Sequence, residues 1–257
     1  MDITPSAEET SHSQLLANKI KAEILANNGQ ISFAKYMEMA LYTPGLGYYA
    51  AGAIKLGKQG DFVTAPEISP LFGATIVQTI LPALTHLQQE SLPLQILEFG
   101  AGSGALAESV LDALEKLGFK IDSYNILDLS ADLIERQKQR LSQRAEKINW
   151  LSALPENFIG IILANEVLDA MPIDLIVQRN GAWHYKNVGF AKTEQNTSEQ
   201  FVFCDGLTVE DALLPTQLQK EDFVEGYTTE IHSNGNAWIN SLGKILKKGV
   251  LDRKSVV

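Results

Sequence analysis

The sequence predicts a doubly wound α/β fold, a parallel sheet covered by helices on both faces, on three observations. Residues 94–164 alternate short apolar runs with amphipathic stretches, the pattern of repeated strand–helix units. The first run ends in a glycine-rich turn, Gly100-Ala-Gly102-Ser-Gly104, which opens directly into an amphipathic segment. The run Ile159-Gly-Ile-Ile-Leu-Ala164 is apolar throughout, as a strand buried on both faces requires.

Taken in order, residues 1–10 read as a loose polar tail. Leu15, Leu16, Ile20, Ile24 and Leu25 fall at helical spacing between Ser13 and Asn27, and Asn28-Gly29 ends that helix. Ile31 to Leu41 reads as a second helix with Ser32 as its N-cap. A turn-rich TPGLGYYA follows, then a glycine-punctuated stretch at 51–69. Ser69-Pro70 opens a helix with Leu71, Ile76, Ile80 and Leu84 as its apolar positions. Then come a strand ending at Phe99, a helix from Ala105 to Leu117 and a strand over Tyr124–Asp128. A helix from Ala131 to Leu141 and strands at 148–151 and 159–164 complete this region. Beyond 173 the period changes to two, and Asn180-Gly181 between two strand-like runs signals a hairpin, to which FVFC adds a third strand. A helix at about 228–247 leads to a further strand near 249. This organisation suggests an N-terminal helical extension over 1–90. A core over 91–257 follows, with a β insertion at about 173–225.

Composition sets the class. The 257 residues are 45% hydrophobic and 20% charged, ordinary globular usage, with 31 acids against 21 bases for a net charge of −10. That balance opposes a general nucleic-acid binder, whose affinity rests on clustered Lys and Arg. A single cysteine, Cys204, excludes an internal disulfide and a cysteine-based zinc site. The polar, acidic start has neither signal nor transit character, and no apolar run approaches a membrane span. The expectation is a cytoplasmic protein without membrane insertion.

Glycines in a strand-to-helix turn let the backbone bend tightly and approach a ligand, beside the free N–H groups of a helix start. Taken alone, GAGSGA fits either a dinucleotide loop, with Ala105 in the third glycine's place, or a ligand-free turn. Glu98, two residues before Gly100, extends the pattern to acid-x-Gly-x-Gly-x-Gly, which resembles motif I of class I S-adenosylmethionine methyltransferases. Asp128, ending the second strand, either takes hydrogen bonds from both ribose hydroxyls or caps the next helix beside Ser130 and Asp132. Trp150 either flanks an adenine or belongs to the core rim. Asn165 and Glu166 follow the last buried run, at the strand end where ligands of open sheets bind. A carboxylate there can orient a guanidinium by bidentate pairing and remove a proton. Asp169 is either a second such acid or a helix N-terminal one. His184 and His232 read as hairpin or surface residues, and four scattered histidines make no metal site.

With these motifs in order, the sequence resembles the MidA-like family of class I S-adenosylmethionine-dependent methyltransferases. That family includes the mitochondrial complex I assembly factor 7, a protein arginine methyltransferase. The match rests on Tyr42-Thr-Pro44-Gly45-x-Gly47-Tyr48-Tyr49 and on Gly60-Asp61-Phe62-Val-Thr64-Ala65-Pro66-Glu67-Ile-Ser69-Pro-Leu-Phe72-Gly73. It also rests on EFGAGSG with Asn165-Glu166-x-x-Asp169-Ala-x-Pro172, and more weakly on Tyr227–Glu230. The resemblance implies a class I, Rossmann-like methyltransferase fold whose helical extension covers the cofactor. Glu98, Gly100, Gly102, Gly104, Asp128, Thr64, Pro66 and Glu67 then lie at S-adenosylmethionine; a structural clasp is the other reading of the Thr64–Glu67 segment. Glu166, Asp169 and Asn165 serve the methyl acceptor. It implies a protein substrate, by analogy a respiratory-chain subunit, with transfer to an arginine nitrogen. A cofactor-binding assembly factor with little turnover is the alternative, and an NAD-dependent oxidoreductase a weaker one. Past Lys248-Gly249-Val250 the family pattern continues with another strand and an Asp-Tyr-Gly turn, whereas this sequence reads LDRKSVV. The expectation is therefore a C-terminally truncated sheet with an open edge that invites homo-oligomerisation.

Overall fold

The computed structural model describes residues 7–50, 64–193, 196–220 and 223–254. The chain begins with α1 (Ala7–Ala26), β1 (Gln30–Ile31), α2 (Phe33–Tyr42), α3 (Ala65–Ile68) and α4 (Leu71–Gln89). Alternation follows: β2 (Gln95–Phe99), α5 (Ala105–Lys116), β3 (Ser123–Leu127), α6 (Ala131–Arg140), β4 (Ile148–Leu151) and β5 (Phe158–Asn165). Then come β6 (Asp174–Arg179), β7 (Ala182–Thr193), β8 (Asn196–Thr208), α7 (Thr216–Lys220), β9 (Thr228–Ile231), α8 (Ser233–Ile245) and β10 (Leu246–Lys254).

These elements form two units, each with its own core. The α/β unit comprises Gly52–Ala170 and Trp238–Val257. Its five strands run parallel in the order β10-β5-β2-β3-β4. Four strands precede the insertion and the fifth follows it, as the sequence predicts. Side chains of one sheet face, Ile96, Ile126, Ile161 and Leu163, pack with Val77, Ile80 and Leu84 of α4 and Leu106 and Val110 of α5. Leu97, Phe99 and Ile162 alternate with them and pack with Trp238, Leu242 and Ile245 of α8. Burial on both faces is why these strands read as unbroken apolar runs. Each fully buried Ile or Leu contributes roughly 1.5–3 kcal/mol.

The β unit comprises Met1–Ala51 and Met171–Ala237. Its sheet runs β1-β7-β6-β9, with β8 paired to β7, all antiparallel. Asn180 and Gly181 both take positive φ, +49° and +79°, which closes the two-residue hairpin between Arg179 and Ala182. FVFC lies within β8, as read. Ser32 caps α2 by accepting from the Lys35 N–H at 3.1 Å.

Several boundaries differ from the sequence reading. The tail is helical from Ala7, and Ile31 belongs to β1 rather than to α2. Ile80 and Leu84 of α4 are buried as read and Ile76 is partly buried, but Leu71 is exposed, and Gly73, Val77 and Leu87 complete the buried face. The segment 228–247 is not one helix. Thr228–Ile231 pairs with Asp174–Val177 as a strand, a role its β-branched residues favour, and only Ser233–Ile245 is helical. The units also do not divide at residue 90. Helix α4 packs on the sheet of the α/β unit, so the leading segment contributes to both units. Gly60, Asp61 and Phe62 of the motif at 60–73 lie outside the described residues.

Candidate functional site

The site follows from the strand order. The chain lays down β2, β3 and β4 in one direction, then returns to β5 on the other side of β2. Connections leave the carboxyl ends of β2 and β5 on opposite faces, opening a crevice at that switch point. The loop after β2 and the loop after β5 meet there: a Cβ on Gly100 would lie 3.7 Å from Val167.

Gly100, Gly102 and Gly104 all take positive φ, +59°, +55° and +84°, conformations that disfavour any L side chain. Gly104 is the N-cap of α5 and offers no side chain to the first-turn amides, which stay available to a ligand. Gly100 N–H donates to the Leu127 carbonyl at 3.0 Å, tying the loop to the end of β3.

Glu98 precedes the loop on β2 and is 2% exposed. The Tyr124 hydroxyl donates to its Oε2 at 2.6 Å. Burial pushes the Glu98 carboxyl up to about 7, against the lowering effect of that hydrogen bond, and pushes the Tyr124 phenol up as well. Asp128 follows β3, half-buried. Its Oδ1 accepts from the Ser130 N–H at 3.0 Å and its Oδ2 from Gln137 Nε2 at 2.8 Å. The helix cap itself is Ser130, which accepts from the Leu133 N–H, so Asp128 is not the cap. Trp150 belongs to the core rim: its Nε1 donates to Gln137 Oε1 at 3.1 Å.

Thr64 is the N-cap position of α3, with Pro66 and Glu67 in its single turn. The Ser103 hydroxyl of the glycine loop donates to Glu67, and Arg140 of α6 sits 3.5 Å from the same carboxylate. Arg140 also reaches Glu108 and Ser103, both at 2.8 Å. The structure thus ties Glu67 to the glycine loop and to α6.

Beyond β5, Asn165 carries a buried Oδ1 with no hydrogen-bond partner, and Glu166 takes φ +53°, a left-handed conformation uncommon for glutamate. A buried acceptor without a protein partner beside a left-handed residue makes this strand end a candidate ligand-facing turn. Asp169 lies in the following 3-10 turn, Leu168–Ala170, and is exposed. His184 lies in the hairpin, and His232 accepts from the Gly235 N–H at the start of α8. Among the described residues no group of His, Cys, Asp or Glu could hold a metal ion, and no helix is long and apolar enough to cross a membrane.

Glu98, the three glycines, Asp128, Asn165 and Glu166 therefore converge at the strand ends, Glu67 supports the loop, and Asp169 is exposed in the 3-10 turn that follows Glu166. Sequence reading missed Gln137, Tyr124, Ser103 and Arg140. One signal existed for Gln137. It occupies the helical stripe formed by Leu133, Ile134 and Leu141, where an apolar residue belongs. The donor set suits S-adenosylmethionine: space without Cβ atoms at the loop, an acid at the second strand, and an unpaired acceptor across the crevice.

Comparison with known proteins agrees. Residues 75–251 match the family described as "Putative S-adenosyl-L-methionine-dependent methyltransferase". A Drosophila melanogaster protein named protein arginine methyltransferase NDUFAF7 homolog, mitochondrial, is 31% identical over 77% of this chain and 50% of its own length. The Homo sapiens protein named protein arginine methyltransferase NDUFAF7, mitochondrial, is 26% identical over 81% of this chain and 50% of its own length. The chain spans about half the length of these relatives. A Burkholderia thailandensis crystal structure bound to S-adenosyl-homocysteine superposes with a TM-score of 0.85 at 37% identity, over 97% of this chain and 64% of that one. A class I, Rossmann-like fold is thus established, and the chain belongs to this family, the MidA-like methyltransferases that its motifs resemble.

Proposed function

We propose that the chain binds S-adenosylmethionine at the switch-point crevice and transfers its methyl group to an arginine nitrogen of a protein. The observation that carries this reading is the convergence of three positive-φ glycines with Asp128 and the orphaned Asn165 Oδ1 at the ends of β2, β3 and β5. Gly100, Gly102 and Gly104 admit the cofactor, Glu98 and Asp128 anchor its polar groups, Thr64 and Pro66 lie beside it, and Glu67 braces the glycine loop through Ser103. The bound cofactor supplies a methyl group on a sulfonium, a good leaving group, so orientation and exclusion of water provide much of the acceleration. Asn165 Oδ1 accepts an N–H of the guanidinium. Glu166 offsets its charge and takes the proton that the methylated nitrogen releases. Relatives named as arginine methyltransferases support the choice of acceptor. A respiratory-chain subunit as acceptor, cytoplasmic residence and self-association belong to the same proposal.

The test is calorimetric titration with S-adenosylhomocysteine, with NADH as control. Saturable binding that Gly102→Arg abolishes supports the reading, and transfer of labelled methyl to a protein arginine completes it. Binding of NADH alone would replace it with a nicotinamide enzyme. Binding of S-adenosylhomocysteine without transfer to any protein would leave a cofactor-binding assembly factor.

A further inference from the structure

Gln137 is the only residue of α6 that is buried, with no exposed surface, on a helix whose other positions are exposed or half-buried. A polar side chain in that place costs free energy unless every group is satisfied. Its partners fix its orientation without ambiguity. The Trp150 indole can only donate, so it meets Oε1, at 3.1 Å. The Gly102 carbonyl and the Asp128 carboxylate can only accept, so both meet Nε2, at 3.0 and 2.8 Å. One amide group thus joins the middle glycine of the loop, the acid at the end of β3 and the rim aromatic of β4.

Resting on the cofactor reading above, the geometry points to Gln137 as the positioning residue that sets the cofactor's ribose. The Ser130 N–H occupies one lone-pair position on Asp128 Oδ1, and Gln137 Nε2 occupies one on Oδ2. Each oxygen keeps a further position, and the carboxylate plane is pinned from both sides. Two acceptors held at fixed separation match two vicinal hydroxyls. By holding the Gly102 carbonyl as well, Gln137 keeps the glycine loop and the ribose acid in one frame. Pre-organised acceptors lose less entropy on binding than a rotating carboxylate does. Gln137 itself touches no ligand atom in this scheme.

The experiment measures affinity for S-adenosylhomocysteine and for its 2′,3′-dideoxyribose analogue. Melting temperature serves as the folding control. Wild type favours the natural ligand by about 100-fold, the discrimination that a carboxylate paired to two hydroxyls gives. Gln137→Met lowers that preference to below about tenfold and changes affinity for the dideoxy analogue by less than about threefold. Gln137→Glu keeps the side-chain shape and the acceptor for Trp150 but loses the donor, and it gives the same collapse. Trp150→Phe removes the indole donor, leaves Gln137 on Asp128 and retains the wild-type preference. Equal loss for both ligands in Gln137→Met would assign Gln137 to packing alone, and an unchanged preference would remove it from the site; either overturns the proposal while the cofactor reading stands. Failure of wild type to bind S-adenosylhomocysteine would overturn the cofactor reading, and this one with it.

Discussion

At the residue scale, Glu98 holds a carboxyl where a carboxyl is costly. Its folded value near 7 lies above the ordinary 4.5 because burial penalises the charged form. The folded protein therefore binds the proton more tightly than the unfolded chain. Its contribution is fully present below about pH 4.5, falls as pH rises toward 7, and is lost above it. Glu98→Gln removes the charge and keeps an acceptor for the Tyr124 hydroxyl. It raises stability by up to about 3 kcal/mol at pH 8 and by little at pH 4.5, read from urea midpoints at the two values. The same variant weakens S-adenosylhomocysteine binding at pH 8, since the anchor is then neutral; equal stability at both pH values would show that Glu98 is solvated. Across the crevice, Glu166→Gln lowers kcat by about 100-fold and leaves cofactor affinity unchanged, because the acid serves the acceptor. A matching loss of cofactor affinity would move Glu166 into the binding frame.

At the element scale, α4 and α5 approach closely at Gly73. A Cβ there would lie 2.1 Å from Ser109 Oγ and 2.9 Å from the Ser109 carbonyl carbon. Gly73→Val forces the helices apart and costs about 1–3 kcal/mol, measurable as a fall in thermal midpoint; tolerance of valine would mean the pair slides freely. The glycine closing GDFVTAPEISPLFG thus has a packing reason that spacing could not supply. What was legible had a local cause. Buried strands announced themselves by unbroken apolar runs, the hairpin by Asn180-Gly181, α2 by Ser32. What was not legible depended on distant partners. Thr228–Ile231 is a strand because Asp174–Val177, more than 50 residues earlier in the chain, lies beside it, and no helical or extended period of four residues decides that. The glycine loop and Glu98 were readable as a motif, whereas the Tyr124 and Gln137 bonds that hold them come from the next strand and helix.

At the scale of the whole molecule, the net charge of −10 acts beyond any one contact. A surface of that sign attracts basic segments and speeds their encounter, an effect screened within about 8–10 Å at moderate salt. The two proposed ligands respond differently. S-adenosylhomocysteine has no net charge near neutral pH, so the long-range field contributes little to its binding. An arginine-bearing protein segment is cationic and gains from the field before it reaches Asn165 and Glu166. Raising sodium chloride from about 50 to about 500 mM should therefore raise KM for a basic acceptor about tenfold while the S-adenosylhomocysteine dissociation constant moves less than about twofold. Steady-state kinetics beside calorimetry reads both. A KM insensitive to salt would place acceptor recognition in close, desolvated contacts, where Glu166 pairs with the guanidinium and the surrounding charge is irrelevant. An equal response of both ligands would point to salt acting on the fold and not on the encounter, and the urea midpoint at the two salt concentrations separates that case.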